Sequence, residues 1–154
     1  MKALLQRVRN ARVDVDGETV GAIGHGLLVF VGVEADDTGE ETPRLVERLL
    51  GMRIFEGALG DSEPKPMNVS VQDVGGEVLL VSQFTLAADT RRGRRPGFST
   101  AAPPELAEPI FEAFVAATRD AIGDADRVKT GRFGADMQVS LVNDGPVTFL
   151  LESR

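Results

Sequence analysis

The amino-terminal third of the chain alternates apolar and polar residues with the two-residue period of half-buried strands. Val13 and Val15 alternate with Arg12, Asp14 and Asp16, a spacing that puts each set on its own face of a pleated strand. Asp16-Gly17 is a hairpin turn signal, and Gly24-His25-Gly26 marks a second turn. Leu27-Leu28-Val29-Phe30-Val31-Gly32-Val33 then runs apolar almost without a break, which predicts a strand covered on both faces. The period lengthens after Thr38-Gly39-Glu40-Glu41, a capping-box sequence that places a helix start there. Leu45, Val46, Leu49 and Leu50 fall on one face of that helix, and Gly51 ends it.

Met52-Arg53-Ile54-Phe55 predicts a short strand, and residues 56–66, punctuated by Gly57, Gly60 and Pro64, predict a surface loop. Glu77-Val78-Leu79-Leu80-Val81 is a buried strand that delivers Ser82 to its end. Residues 86–103, rich in arginine, glycine and proline, predict at most an ordered loop. Pro103-Pro104-Glu105 opens a second helix, with Leu106, Ile110, Phe111, Phe114 and Val115 facing inward and Pro109 early enough to kink it. Met137, Val139 and Leu141 alternate along another strand, and residues 147–151 supply a last one. Seven or eight strands against two helices predict an α/β fold: a curled, mixed, largely antiparallel, barrel-like sheet with the two helices packed outside.

Composition narrows the classes of function. At 154 residues a single domain over 1–154 is expected, large enough for a real core. The start has no signal-peptide pattern and no apolar run approaches membrane-spanning length, so a cytoplasmic location away from membranes is expected. The absence of cysteine removes disulfides and thiolate chemistry, and a lone histidine, His25, argues against a histidine-built metal centre. No metal or cofactor is expected. A net charge of −7 opposes non-specific coating of nucleic acid but leaves room for a local basic patch.

Each candidate for chemistry also has a plainer reading. His25 could be a general base, but its place between two glycines suits a solvated turn. Asp89 is a carboxylate near the Ser82 segment, and equally a turn former. Ser82-Gln83-Phe84-Thr85 puts two hydroxyls, an amide and a ring at a strand end, where side chains and free amides can meet a ligand; an ordinary strand end would also look like this. Arg91, Arg92, Arg94 and Arg95 form the one concentrated positive feature, fit either for phosphate or for solvent, with Lys129 and Arg132 as additional contributors. Gly145-Pro146 reads as a tight turn between two strands.

These residues also carry a resemblance. Arg53-Ile54-Phe55, Met67-Asn68-Val69-Ser70-Val71, Asp73 to Glu77, Ser82-Gln83-Phe84-Thr85-Leu86, Ala88-Asp89-Thr90-Arg91, Phe133-Gly134-Ala135 and Asn143-Asp144-Gly145-Pro146-Val147-Thr148 resemble the D-aminoacyl-tRNA deacylase family in order and spacing, over nearly the whole chain. The 57–66 loop is longer than usual for the family, and Gly97 replaces a polar residue. The resemblance implies that family's fold and hydrolysis of the ester joining a D-amino acid to the terminal ribose of tRNA, with glycyl-tRNA as a second substrate. It implies a homodimer in which Gly145 and a cis Pro146 enter the neighbour's pocket and exclude L side chains. Ser82, Gln83, Phe84 and Thr85 would form the catalytic segment, Phe133, Ala135 and Met137 would help to bind substrate, and the arginines would meet tRNA phosphates. The substrate's ribose 2′-hydroxyl would assist the water, a route favoured here over a covalent Thr85 because no base stands out to activate that hydroxyl. A non-catalytic RNA-end or small-ligand binder and a Ser/Thr hydrolase of small esters are the competing classes.

Overall fold

A computed structural model describes residues 1–153. β1 (Lys2–Val15) and β2 (Glu18–Ile23) form the first hairpin, with Asp16 and Gly17 at φ 50° and 81°. They are followed by β3 (Gly26–Gly32), α1 (Thr42–Leu50), β4 (Phe55–Gly57), β5 (Lys65–Val69), β6 (Glu77–Ser82), α2 (Pro104–Ile122), β7 (Val128–Thr130) and β8 (Gln138–Glu152). The main sheet runs β2-β1-β3-β6-β7, and β8 pairs with the other edge of β1. Pairing is antiparallel around β1 and parallel from β3 to β6 and from β6 to β7. β1 serves β3 with residues 2–8 and β2 with residues 11–15. The far edge then returns to the start, because Gly21 of β2 lies against the Thr130 carbonyl of β7. The sheet is thus a nearly closed barrel.

Two cores follow from this curl. Leu27, Val29 and Val31 of β3 and Val78 and Leu80 of β6 face outward against Leu45 and Leu49 of α1 and Phe111 and Phe114 of α2. Leu28, Leu79 and Val81 face the barrel interior with Val8, Val13 and Ile23. β3 and β6 are buried on both faces, which is why they read as unbroken apolar runs. β1 changes core along its length: its buried positions step from Ala3 and Leu5 to Val8, then to Ala11, Val13 and Val15. The two three-residue steps coincide with register shifts against β8 around Arg7 and Arg9, since an extra residue is what moves a strand's inward set to the other phase.

Several expectations need correction. Thr38 and Glu41 do make capping-box contacts, the Thr38 amide donating to Glu41 Oε1 at 3.4 Å and the Glu40 amide to the Thr38 hydroxyl at 3.3 Å. Gly39 at φ 88° keeps the chain out of a helix there, however, and α1 begins at Thr42 with a proline in its first turn. Residues 52–54 are a tight connection, not a strand; the Ile54 amide donates to the Met52 carbonyl. Strand β4 starts at Phe55 and pairs with β5, so only 58–64 of the expected loop stays irregular. Residues 138–152 form one strand where two were expected. Between Val8↔Asn143 and Gln6↔Thr148, β1 spends one residue, Arg7, while β8 spends four, 144–147, so Gly145-Pro146 bulges out of a continuing ladder. Among the described residues, no helix is long and apolar enough to cross a membrane.

Candidate active site

The parallel strands β3 and β6 end side by side, and the chain leaves β6 at Ser82. The Gln83 amide donates to the Val31 carbonyl at 2.8 Å, extending the ladder by one bond before a 3-10 turn over Phe84–Ala87. Within that turn the Leu86 amide donates to the Gln83 carbonyl, and the Ala88 amide to the Thr85 carbonyl. The Phe84 and Thr85 amides donate to no protein acceptor among the described residues, as expected of the first amides of a helical turn. Gln83 Nε2 donates to the Thr85 hydroxyl at 2.6 Å. An amide donor on Thr85 cannot remove its proton, so nothing there activates it as a nucleophile.

Beside these strand ends lies a cavity of about 530 Å³, within the size range of pockets that enclose a small ligand. Val31, Val81, Ser82, Gln83 and Phe84 form one wall; Pro104, Ala107 and Phe111 of α2 form a second; residues 133–137 and Val139 close it. The Phe111 and Phe133 rings meet at 6.2 Å between centroids. Ser82, Gln83, Phe84, Phe133, Ala135 and Met137, named from the sequence, therefore share one cavity. Thr85 is exposed and does not line it. Sequence reasoning missed the α2 wall and Asp136, the one titratable side chain on the lining, whose Oδ1 accepts from Gln138 Nε2 at 3.2 Å. Among the described residues no group of metal-ligating side chains stands together.

Gly145 and Pro146 are exposed, their peptide bond is cis, and neither lines this chain's own cavity. The bulge that carries them is tied from beneath. Arg7 donates from Nε to the Asp144 carbonyl at 3.1 Å, pairs with Asp144 Oδ2 at 3.1 Å, and donates from Nη1 to the Ile54 carbonyl at 2.5 Å. Asn143 Nδ2 donates across the bulge to the Arg7 and Val147 carbonyls. A Cβ on Gly145 would run into Asn143 Oδ1, so a glycine is required here for the Asn143 bridge to stay in place.

The arginine loop is ordered at its base. Asp89 and Gly97 exchange two backbone hydrogen bonds of 2.8 and 2.9 Å. Asp89 accepts from the Arg91 backbone amide and from Arg91 Nε and Nη2; these bonds, the side-chain ones first, hold its carboxyl well below the usual carboxylate range. Asp89 is thus the turn former of the plainer reading. Arg91 is committed to it, and Arg92, Arg94 and Arg95 are exposed. Lys129 sits in β7 and is half-buried; Arg132 is exposed near Phe133. His25 is an exposed turn residue, edge-on to Phe55 at 5.2 Å and away from the cavity.

Comparison with known proteins gives a consistent result. The sequence profile of the family described as D-Tyr-tRNA(Tyr) deacylase matches residues 4–152. A protein of Pseudomonas putida (strain W619) named D-aminoacyl-tRNA deacylase is 59% identical over 152 residues, covering 99% of each chain. One of the same name from Marinomonas sp. (strain MWYL1) is 57% identical over 152 residues, covering 99% of this chain and 100% of that protein. Among solved structures, one described as a c-Myc DNA unwinding element binding protein superposes with a TM-score of 0.91 at 42% identity, covering 100% of this chain and 99% of the other. Another, of a probable eukaryotic D-amino acid tRNA deacylase, superposes with a TM-score of 0.81 over 97% of each chain; at 20% identity it speaks for the fold alone.

Proposed function

The chain belongs to the D-Tyr-tRNA(Tyr) deacylase family and is a hydrolase of D-aminoacyl-tRNA, and from that premise we propose how its cavity performs and restricts the reaction. The aminoacylated terminal ribose enters the cavity with its ester carbonyl at the Phe84 and Thr85 amides. Water adds to that carbonyl, the amides stabilise the oxyanion, and collapse expels the ribose oxygen. The substrate's neighbouring 2′-hydroxyl relays the proton from the water to the leaving oxygen, so one water is consumed and the products are free D-amino acid and tRNA. Ser82 and Gln83 shape the floor, and Phe133, Ala135 and Met137 hold the acyl part. The observation that carries this reading is the strand end at which Phe84, whose amide has no protein acceptor among the described residues, lines a largely apolar cavity, with the equally unpartnered Thr85 amide next in the chain. Asp136 is exposed and bonded to Gln138, and takes no part in the proton transfer.

Selectivity is assigned to Gly145 and Pro146 of a second copy of the chain. These residues do not line their own cavity, and the same strand leaves Val142, Phe149 and Leu150 exposed, apolar side chains that a homodimer contact would cover. From the neighbour, their carbonyls would receive the substrate's amino group and occupy the space of an L side chain. Glycine esterified to tRNA has no side chain to exclude and would also be cleaved. The arginine loop would hold tRNA phosphates.

The test is to incubate the pure protein with matched D- and L-aminoacyl-tRNA and with a simple D-amino acid ester. Cleavage of the D-charged tRNA alone is expected. Binding without turnover would mark an RNA-end binding module, and a trapped acyl-enzyme lost on Thr85→Ala would mark a covalent hydrolase. Mixing a Gly145→Ala copy with a copy altered at the Phe84 cavity separates one-chain from two-chain sites, because partial recovery of selective activity requires residues from both subunits.

A further inference from the structure

Two phenylalanines stand exposed beside the cavity. Phe84 is 58% and Phe98 45% exposed, and their ring centroids are 5.3 Å apart with planes at 51°. Phe55 and Phe114, by contrast, are fully buried. Phe84 lines the cavity; Phe98 does not. The pair therefore continues the cavity wall outward onto the surface.

The surroundings of Phe98 are charged and ordered. It directly follows Gly97, whose two backbone bonds to Asp89 close the arginine loop, and the Thr100 hydroxyl donates to the Ala87 carbonyl just behind the Phe84 turn. Arg91 is neutralised by Asp89. Arg92, Arg94 and Arg95 are exposed and have no carboxylate partner among the described residues. Aromatic faces next to unpaired guanidinium groups form the combination that binds single-stranded nucleic acid: stacking is tolerant of base identity, and cations follow the backbone.

We infer that Phe84 and Phe98 form a stacking shelf for the nucleobase preceding the terminal nucleoside of the substrate, with Arg92, Arg94 and Arg95 on the phosphates of the same single strand. This rests on the reading that the cavity holds the aminoacylated terminal ribose of an RNA. The strand would leave the cavity over Phe84, stack on the ring pair and pass along the arginine loop.

The experiment compares kcat/KM on D-aminoacyl-tRNA with kcat/KM on the D-aminoacyl ester of adenosine, which contains the terminal nucleoside and nothing before it. Phe98→Ala is expected to lower the ratio of the two roughly ten-fold, on the scale of base–aromatic stacking, and Phe98→Tyr to restore it to within about two-fold. Replacing Arg92, Arg94 and Arg95 by glutamine should flatten the salt dependence on the tRNA substrate alone. An unchanged ratio in Phe98→Ala overturns the shelf while leaving the deacylase reading intact. So does an altered sedimentation behaviour of that variant, which would place Phe98 against a second copy of the chain. A wild-type protein that cleaves neither substrate overturns the deacylase reading and the shelf with it.

Discussion

Replacing Gly145 by alanine tests the link between the bulge and selectivity. The added Cβ would run into Asn143 Oδ1, so the carboxamide must move. Its two hydrogen bonds, to the Arg7 carbonyl at 3.0 Å and the Val147 carbonyl at 3.1 Å, bridge the four-residue excursion of β8. Each is worth about 0.5–1.5 kcal/mol net, giving a stability loss of about 1–3 kcal/mol. Arg7 still holds Asp144 from below, so the fold should survive while the carbonyls of residues 145 and 146 shift. If those carbonyls exclude the L side chain, relaxing about 1.4 kcal/mol of that exclusion raises the L-aminoacyl rate ten-fold. The assay is urea unfolding alongside deacylation of matched D- and L-aminoacyl-tRNA. Asn143→Ala, which removes the same bonds without adding a Cβ, should lose similar stability and part of the selectivity. A Gly145→Ala protein that is destabilised as calculated but keeps full D-over-L preference would refute the reasoning.

Other expectations are simpler to check. Asp136→Asn should keep deacylation within a few-fold in single-turnover kinetics, whereas a loss of about 10²–10⁴-fold would make Asp136 the general base. Thr85→Ala should remain active, and mass spectrometry should find no acyl adduct on the wild-type protein. Phe114→Ala, at a fully buried site between α2 and the sheet, should cost about 3–5 kcal/mol and lower Tm on the order of 10 °C. Asp89 has its pKa lowered from the ordinary 3.8, so its ionised form is favoured by folding. Its contribution to loop order is fully present above that value and is lost as pH falls through the depressed one. Amide exchange at Arg91 and Gly97 should thus stay slow to well below the usual carboxylate range, and Asp89→Asn should abolish that dependence.

Most of the strands and both helices were legible because their evidence is local. The Asp16-Gly17 turn, the unbroken run from Leu27, and the apolar face of Leu45 to Leu50 each report a geometry set by neighbours in sequence. Ser82 at the end of β6 was legible for the same reason. β8 was not, because Gly145-Pro146 has the chemistry of a break, and what carries the strand past it is a contact between Arg7 and Asp144, far apart in the chain. β7, with only Val128-Lys129-Thr130, exists because β6 pairs with it and β2 lies against it; three residues have no period to read. The cavity joins a strand end to α2 and residues 133–139, so Phe111 and Asp136 came to line it only once these elements were packed together. The Phe84–Phe98 pair was hidden in the same way, since nothing in the Arg91 to Arg95 run says which ring its loop is closed against.

The most direct measurement is the rate at which the purified wild-type chain releases amino acid from tRNA charged with the D or the L form of the same amino acid. Rapid release from the D-charged tRNA and none above background from the L-charged one is the predicted result. Equal rates on the two, or release from neither, would contradict the account.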